Sequence, residues 1–422
     1  MSIYKKTYKN GLRLILEKNN KNVIGANILV GVGSQNESES EEGFSHFIEH
    51  MAFKSSEKFS TEEIMDELTM LGADFNAYTS RSMTRFIFKC LAENFEKCFE
   101  IYSDMVLHPK YLPEEMDRER NVVIEEMKKY EDDPVDVMSE AVYKSYYDGT
   151  TLAHNILGNE KLISSVTREE LFAYRNKFYR AENMIISVSG NIKFEELDRI
   201  VTKYFATNFD YESKPNTTKP AVIKPKIKEV YKIIERDDAQ ANVSLHIKGV
   251  TRSSKKKYVQ SLFASILGNS QNSRLYKKIR EELGLVYTIY AYSEVYPSHG
   301  DIHIVFGTRP QNVKKAISEI KKIIADFAEK GVTEEELKCA VNLKKSIIEF
   351  ASETNSDLAE ANGSMLYSDG RYINLKSRKI EYEKITAQDM NDFAKQIASE
   401  KTFNIVAVGK NIKIQDLKEY SV

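Results

Sequence analysis

Residues 183–197, Asn183-Met-Ile-Ile-Ser-Val-Ser-Gly-Asn-Ile-Lys-Phe-Glu-Glu-Leu197, read as a buried strand, a turn and the start of a helix. Residues 403–417, Phe403-Asn-Ile-Val-Ala-Val-Gly-Lys-Asn-Ile-Lys-Ile-Gln-Asp-Leu417, repeat that pattern 220 positions later. Val30-Gly31-Val32 resembles Lys248-Gly249-Val250 at an offset of 218, and Leu71-Gly72 matches Leu283-Gly284 at 212. Any one of these matches arises by chance. Their common order and near-constant offset favour a duplicated domain.

The stretch between the copies agrees. Asn208–Lys228 holds three of the eight prolines and reads as an extended connection. It divides the chain into a first domain at 1–212, a linker at 213–227 and a second domain at 228–422. Within the first domain, Tyr4–Leu16 and Val23–Val32 are strand-like. Phe44–Phe53 reads as a helix. Ser60-Thr-Glu-Glu63 is a capping box for a helix that stops at Gly72. Asp74–Cys90 is strand-rich. Helices follow at Phe95–Leu107, from Pro113 to about Glu131, after the box Thr167–Glu170, and at Phe194–Phe205. In the second domain the box Thr333–Glu336 opens a long helix. Strands and helices interleave without strict alternation. The expected class is α+β, each domain a mostly antiparallel sheet covered by helices.

Composition bounds the function. Lys+Arg number 61 and Asp+Glu 63, a net of −2, which argues against bulk affinity for nucleic acid or anionic membrane. Hydrophobic residues at 41% and charged residues at 29% are ordinary for a soluble globular protein. Three cysteines without a CxxC exclude a disulfide framework and point to a reducing compartment. No apolar run approaches the roughly 18–20 residues that span a bilayer. Leu12–Leu16 is short, is interrupted by Arg13 and reads as a strand rather than a signal segment. The expectation is a cytoplasmic protein.

The chemistry is concentrated in Gly43-Phe-Ser-His46-Phe-Ile-Glu49-His50-Met-Ala-Phe53. His46 and His50 are four apart on the expected helix, so their imidazoles share one face. Two such nitrogens can bind one zinc ion. Glu49 faces the same side, where a carboxylate can take a proton from water. The order is H-x-x-E-H, the inverse of HExxH. The alternative is a helix that carries two surface histidines by accident. Against it, Phe44, Phe47, Ile48 and Met51 form an apolar stripe that embeds the helix.

A catalytic zinc needs a third protein ligand. The helix around Glu119-Arg-Asn-Val-Val-Ile-Glu125-Glu126 offers three carboxylates, and spacing alone does not choose among them. Glu119 and Glu126, seven apart, lie on nearly one face. Glu125 is turned about 100° away. One of the pair can ligate while the other orients a histidine.

These motifs resemble those of the pitrilysin/insulinase-type zinc metallopeptidases, in the short-chain branch of bacterial processing peptidases and the mitochondrial processing peptidase β subunit. The likeness also rests on Val32-Gly-Ser34 with Glu37, on Phe75–Thr79, and on Ser273-Arg-Leu-Tyr-Lys-Lys-Ile-Arg280 through Tyr287, so it spans both halves. Lys54-Ser55-Ser56 departs from the family's usual Lys-Gly-Thr. The resemblance implies zinc, one ion per chain, held by His46, His50 and Glu126, with Glu119 in support and Glu49 as general base. It implies that Arg280 and Tyr287 stabilise the oxyanion. It implies that the strand Asn76, Ala77, Tyr78 and Thr79 binds substrate backbone by β-addition. It also implies a clamshell chamber, unfolded peptide or presequence-like substrates, and a homodimer or a heterodimer with a related chain. Two other readings fit the same fold: a dedicated leader-peptide processing enzyme, and a noncatalytic subunit of a peptidase-like complex. Manganese or cobalt fits the same ligands.

Overall fold

The computed structural model describes residues 2–209, 228–401 and 403–420; the expected linker at 213–227 lies outside them. The described chain forms two compact units, each built on one sheet. The first sheet contains β1 (Ser2–Thr7), β2 (Arg13–Lys18), β3 (Val23–Val30), β4 (Asp74–Thr79), β5 (Thr84–Leu91) and β6 (Met184–Gly190), in the order β1-β2-β6-β3-β5-β4. The second contains β7 (Val230–Ile234), β8 (Ala241–Lys248), β9 (Val286–Val295), β10 (Gly300–Thr308) and β11 (Phe403–Val408), in the order β7-β11-β8-β10-β9. Only β2·β6 and β7·β11 are parallel. Without β1 the two orders are the same, so the duplication read from the sequence is a duplication of topology. The class is mixed α+β.

The repeated stretch shows how the copies differ. β6 and β11 end at Gly190 and Gly409, both at φ 147°. These glycines are 219 apart, whereas the helix caps that follow, Lys193 and Lys413, are 220 apart. The extra residue is absorbed in the second turn, where Asn411 adopts the left-handed conformation at φ 58°. Asparagine tolerates that region better than most side chains.

The compact units are not the two contiguous halves expected from 1–212 and 228–422. Residues 128–153 belong to the second unit and residues 349–373 to the first. Strands β3, β6, β10 and β11 are buried along nearly their whole length, which requires cover on both faces of each sheet. Part of that cover comes from the other half of the sequence. The helix Asn355–Asp369 packs on β3 and β6, and the helix Pro134–Tyr146 packs on β11 and β8. The faces they cover are partly polar, so the helices carry polar partners. Asn362 donates to Glu17 (2.8 Å), and Asn355 donates to the Val23 carbonyl (2.6 Å). No described helix is long and apolar enough to cross a membrane.

Under the helix Pro134–Tyr146 lies a buried network. The register sets His303 of β10 opposite His246 of β8. His303 Nδ1 is 3.0 Å from His246 Nε2, and its Nε2–H donates to Asp301 (3.0 Å). Tyr147 donates to the other Asp301 oxygen (2.6 Å), and the Tyr292 ring stacks on His303. Burial resists charge on His303, but Asp301 outweighs it and raises the imidazole pKa. Burial likewise opposes the Asp301 carboxylate, yet His303 holds it down to about 2. His246 goes the other way: burial and the His303 charge push it well below its ordinary value.

The signs follow from linkage. The depressed Asp301 stabilises above about pH 4 and loses its contribution as pH falls towards 2. The raised His303 stabilises fully below about pH 6.5 and loses its contribution as pH rises through its folded value. His246, kept neutral, opposes folding increasingly as pH falls, so the parent protein alone shows a muted profile. Comparison with His303→Gln isolates the pair. Denaturant midpoints should show the parent's advantage largest between about pH 4 and 6.5 and shrinking in mild alkali. An advantage that is constant with pH would rule out an ionised pair.

Candidate metal centre and active site

The helix Phe44–Ala52 starts at Gly43, whose φ of 93° suits glycine. A Cβ on Gly43 would meet the Gly158 backbone at 2.7 Å, so the start of the helix sits directly against the loop that ends at Gly158. The N-terminal amides are satisfied by a residue outside the motif. Glu37 accepts from Gly43 N–H and Ser45 N–H, both at 2.8 Å. It is 1% exposed, and burial raises its carboxyl pKa to about 7 against the pull of those two bonds. Ser45 shares a 2.7 Å hydrogen bond with Tyr174. Phe44, Phe47, Ile48 and Met51 are buried, as the apolar stripe requires, and they aim the opposite face at the helix Pro113–Asp132.

The two helices bring the expected ligands together. Donor atoms of His46, His50 and Glu126 lie within 4.8 Å of one another. The Glu126 carboxylate is 3.4 Å from His50 Nε2 and 3.7 Å from His46 Nε2. Those separations suit a tetrahedral ion with bonds of about 2.0–2.1 Å. The geometry separates the three carboxylates that spacing left open. Glu126 faces both imidazoles, Glu125 is exposed, and Glu119 reaches the far nitrogen of His50. That contact is 3.1 Å. Because a carboxylate only accepts, His50 Nδ1 carries the proton and Nε2 presents its lone pair to the centre. Lys54 pairs with the other Glu119 oxygen at 2.5 Å.

The electrostatics are those of a partly buried, electron-rich site. Burial, reinforced by His50, lowers His46 to about 3, so it is a neutral ligand at neutral pH. Burial works against His50, but the Glu119 hydrogen bond and the surrounding carboxylates raise it. Burial likewise works against Glu119, whose hydrogen bonds from His50 and Lys54 hold it below its ordinary value. Burial, with help from Glu126, raises Glu49. His46 Nδ1 is buried without a hydrogen-bond partner. The donor set of two imidazole nitrogens and one carboxylate fits zinc.

Glu49 is held by Thr79, whose hydroxyl donates to it at 3.1 Å. Thr79 ends β4, the outermost strand of its sheet, so the expected substrate strand is an edge strand. Asn76, Ala77, Tyr78 and Thr79 pair with β5 on one side only. Tyr78 donates to Glu360, which also pairs with Arg85. Arg280 and Tyr287 lie in the second unit. Arg280 bonds to the Tyr276 hydroxyl, and the Tyr287 hydroxyl accepts from Arg309 at 2.9 Å, so these contacts do not link the pair to each other. Sequence reasoning did not find the capping role of Glu37 or the tether from Thr79 to Glu49. Both join residues that no local pattern connects.

A family model described as Insulinase (Peptidase family M16) matches residues 13–160, and one described as Peptidase M16 inactive domain matches residues 165–344. A Bacillus subtilis protein described as the uncharacterized zinc protease YmxG is 30% identical over 396 residues, 93% of this chain and 95% of that one. A Rickettsia bellii protein, also an uncharacterized zinc protease, is 30% identical over 405 residues, 96% of each chain. The fold is shared with a protease from Helicobacter pylori at a TM-score of 0.89 and 20% identity, covering 97% of this chain and 99% of that one. The chain therefore belongs to the insulinase-type M16 peptidase family.

Proposed function

We propose that this chain is a zinc-dependent endopeptidase that hydrolyses unfolded peptides or presequence-like segments. The observation that carries the reading is the convergence of His46, His50 and Glu126 from two helices, with Glu49 tethered beside them by Thr79. Zinc bound there supplies a Lewis acid that lowers the pKa of water towards about 7. His46 and His50 would hold the ion through the Nε2 atoms that face Glu126, and Glu126 would add a negative charge. Glu119 fixes the His50 tautomer and raises its basicity. Glu49, with its raised pKa, accepts the water proton and returns it to the leaving amine. The unpaired edge of β4 holds the substrate backbone extended, so a folded protein is a poor substrate. The inactive-domain match lies over residues 165–344, outside the zinc set, and is no argument against activity. On the family resemblance, Arg280 and Tyr287 supply hydrogen-bond donors for the oxyanion.

Three outcomes test this reading. Glu49→Gln should keep its zinc and lose about 10²–10⁴-fold in turnover, read by mass spectrometry on a pool of unstructured peptides. Cleavage at the parent rate would remove Glu49 from the mechanism. Glu119→Gln should weaken zinc about 10–100-fold while cleavage returns at saturating metal; unchanged zinc affinity would contradict the support role. Arg280→Met and Tyr287→Phe should each lower kcat by about 10²-fold with zinc content intact. Parent-like kinetics in both would withdraw the oxyanion assignment.

A further inference from the structure

We propose that Glu57, Asp104 and His108 form a second divalent-metal site in the first unit, suited to a transition-metal ion such as manganese or zinc. It shares no residue with the His46–His50–Glu126 set. One donor atom from each residue lies within 4.8 Å of the other two. All three line a cleft of about 350 Å³, together with Lys58, Glu100 and Tyr204.

The backbone builds this cluster. Asp104 and His108 are four apart, at the C-terminal end of the helix Phe95–Leu107, and His108 N–H donates to the Asp104 carbonyl at 2.8 Å. His108 caps the helix, and the turn closed by that bond brings it beside Asp104. Glu57 comes from a separate turn, docked by Ser56 pairing with Pro109 and by Glu57 N–H donating to the His108 carbonyl at 2.9 Å. The turn is fixed from below by Glu115, which accepts from the Ser55 hydroxyl at 2.7 Å. This is the Lys54-Ser55-Ser56 segment that departs from the family's usual sequence.

An independent observation points to a ligand. Asp104 is 2% exposed. Its Oδ2 accepts from Lys58 N–H at 2.9 Å, but its Oδ1 is buried without a hydrogen-bond partner. A buried carboxylate oxygen left unpaired is unfavourable, and a cation would satisfy it. His108 Nδ1 sits 3.8 Å from the Glu57 carboxylate, close enough for both to reach one ion. Glu57 is 72% exposed and marks the way in from solvent. Two carboxylates and one imidazole suit manganese or zinc better than calcium or magnesium, which favour oxygen throughout. The buried set of His246, Asp301 and His303 contrasts with this. There His303 uses both ring nitrogens on its neighbours and Asp301 uses both oxygens, so neither carboxylate oxygen is left over for an ion and His246 Nδ1 is the one buried atom of the set without a partner.

The test uses the full chain with His46→Ala and His50→Ala, which empties the first centre. Manganese is titrated and followed by electron paramagnetic resonance, with zinc as competitor. The expected result is one retained ion per chain, displaced by zinc. Adding Glu57→Gln or His108→Asn should weaken it about tenfold or more without changing the metal-free melting temperature. Should the double alanine chain unfold, the metal-free parent is titrated with zinc instead, and the site is read as a second bound equivalent that Glu57→Gln and His108→Asn each weaken. No binding of either metal below ~1 mM, or binding indifferent to both Glu57→Gln and His108→Asn, overturns the assignment.

Discussion

The hydrogen bond from His50 Nδ1 to Glu119 is the contact on which the site depends. It decides which nitrogen of His50 carries the proton and so which one faces Glu126. It also ties the helix Phe44–Ala52 to the helix Pro113–Asp132, so that three donors reach a common point. Lys54 completes the arrangement by neutralising the second Glu119 oxygen, which keeps that carboxylate ionised despite its burial. A buried ion group of this kind is not expected to add much stability. What it adds is orientation: a ligand set presented in one tautomer and one geometry. The same logic explains Glu37. Its carboxylate caps the helix from outside the motif and fixes where the first turn, and hence His46, sits in space.

The parts of this site that follow a helical or strand period were legible in the sequence. His46 and His50 share a face because four residues nearly complete one turn, and Glu119 and Glu126 share one because seven nearly complete two. The α+β class, the strand at residues 183–189 and the helix ends at capping boxes were legible for similar local reasons. The exchange of the helices Pro134–Tyr146 and Asn355–Asp369 between the units was not. Their cover depends on polar faces that ask for asparagine and tyrosine rather than a clean apolar stripe, so no periodic signal announces it. The His246–His303–Asp301 chain is a middle case. Residues 244 and 246, and 301 and 303, obey the strand period of two, but only the pairing of β8 with β10 brings them together.

The duplication makes the origin of the chemistry visible. In the first unit the helix after β3 carries His46, Glu49 and His50. In the second, the helix after β8, Lys257–Gly268, carries no histidine and no glutamate. There Gln260 is buried, accepting from Val250 N–H at 2.7 Å and donating to the Glu294 carbonyl at 3.1 Å. The same strand order thus carries a candidate ligand set in one copy and a structural amide in the other. The edge strands diverge likewise: β4 ends in the Thr79 that holds Glu49, whereas β9 presents exposed Tyr287, Tyr290 and Tyr292. A fold that tolerates both arrangements does not itself dictate catalysis. The proposed chemistry rests on a handful of side chains from two helices, and on the carboxylate that fixes how His50 points.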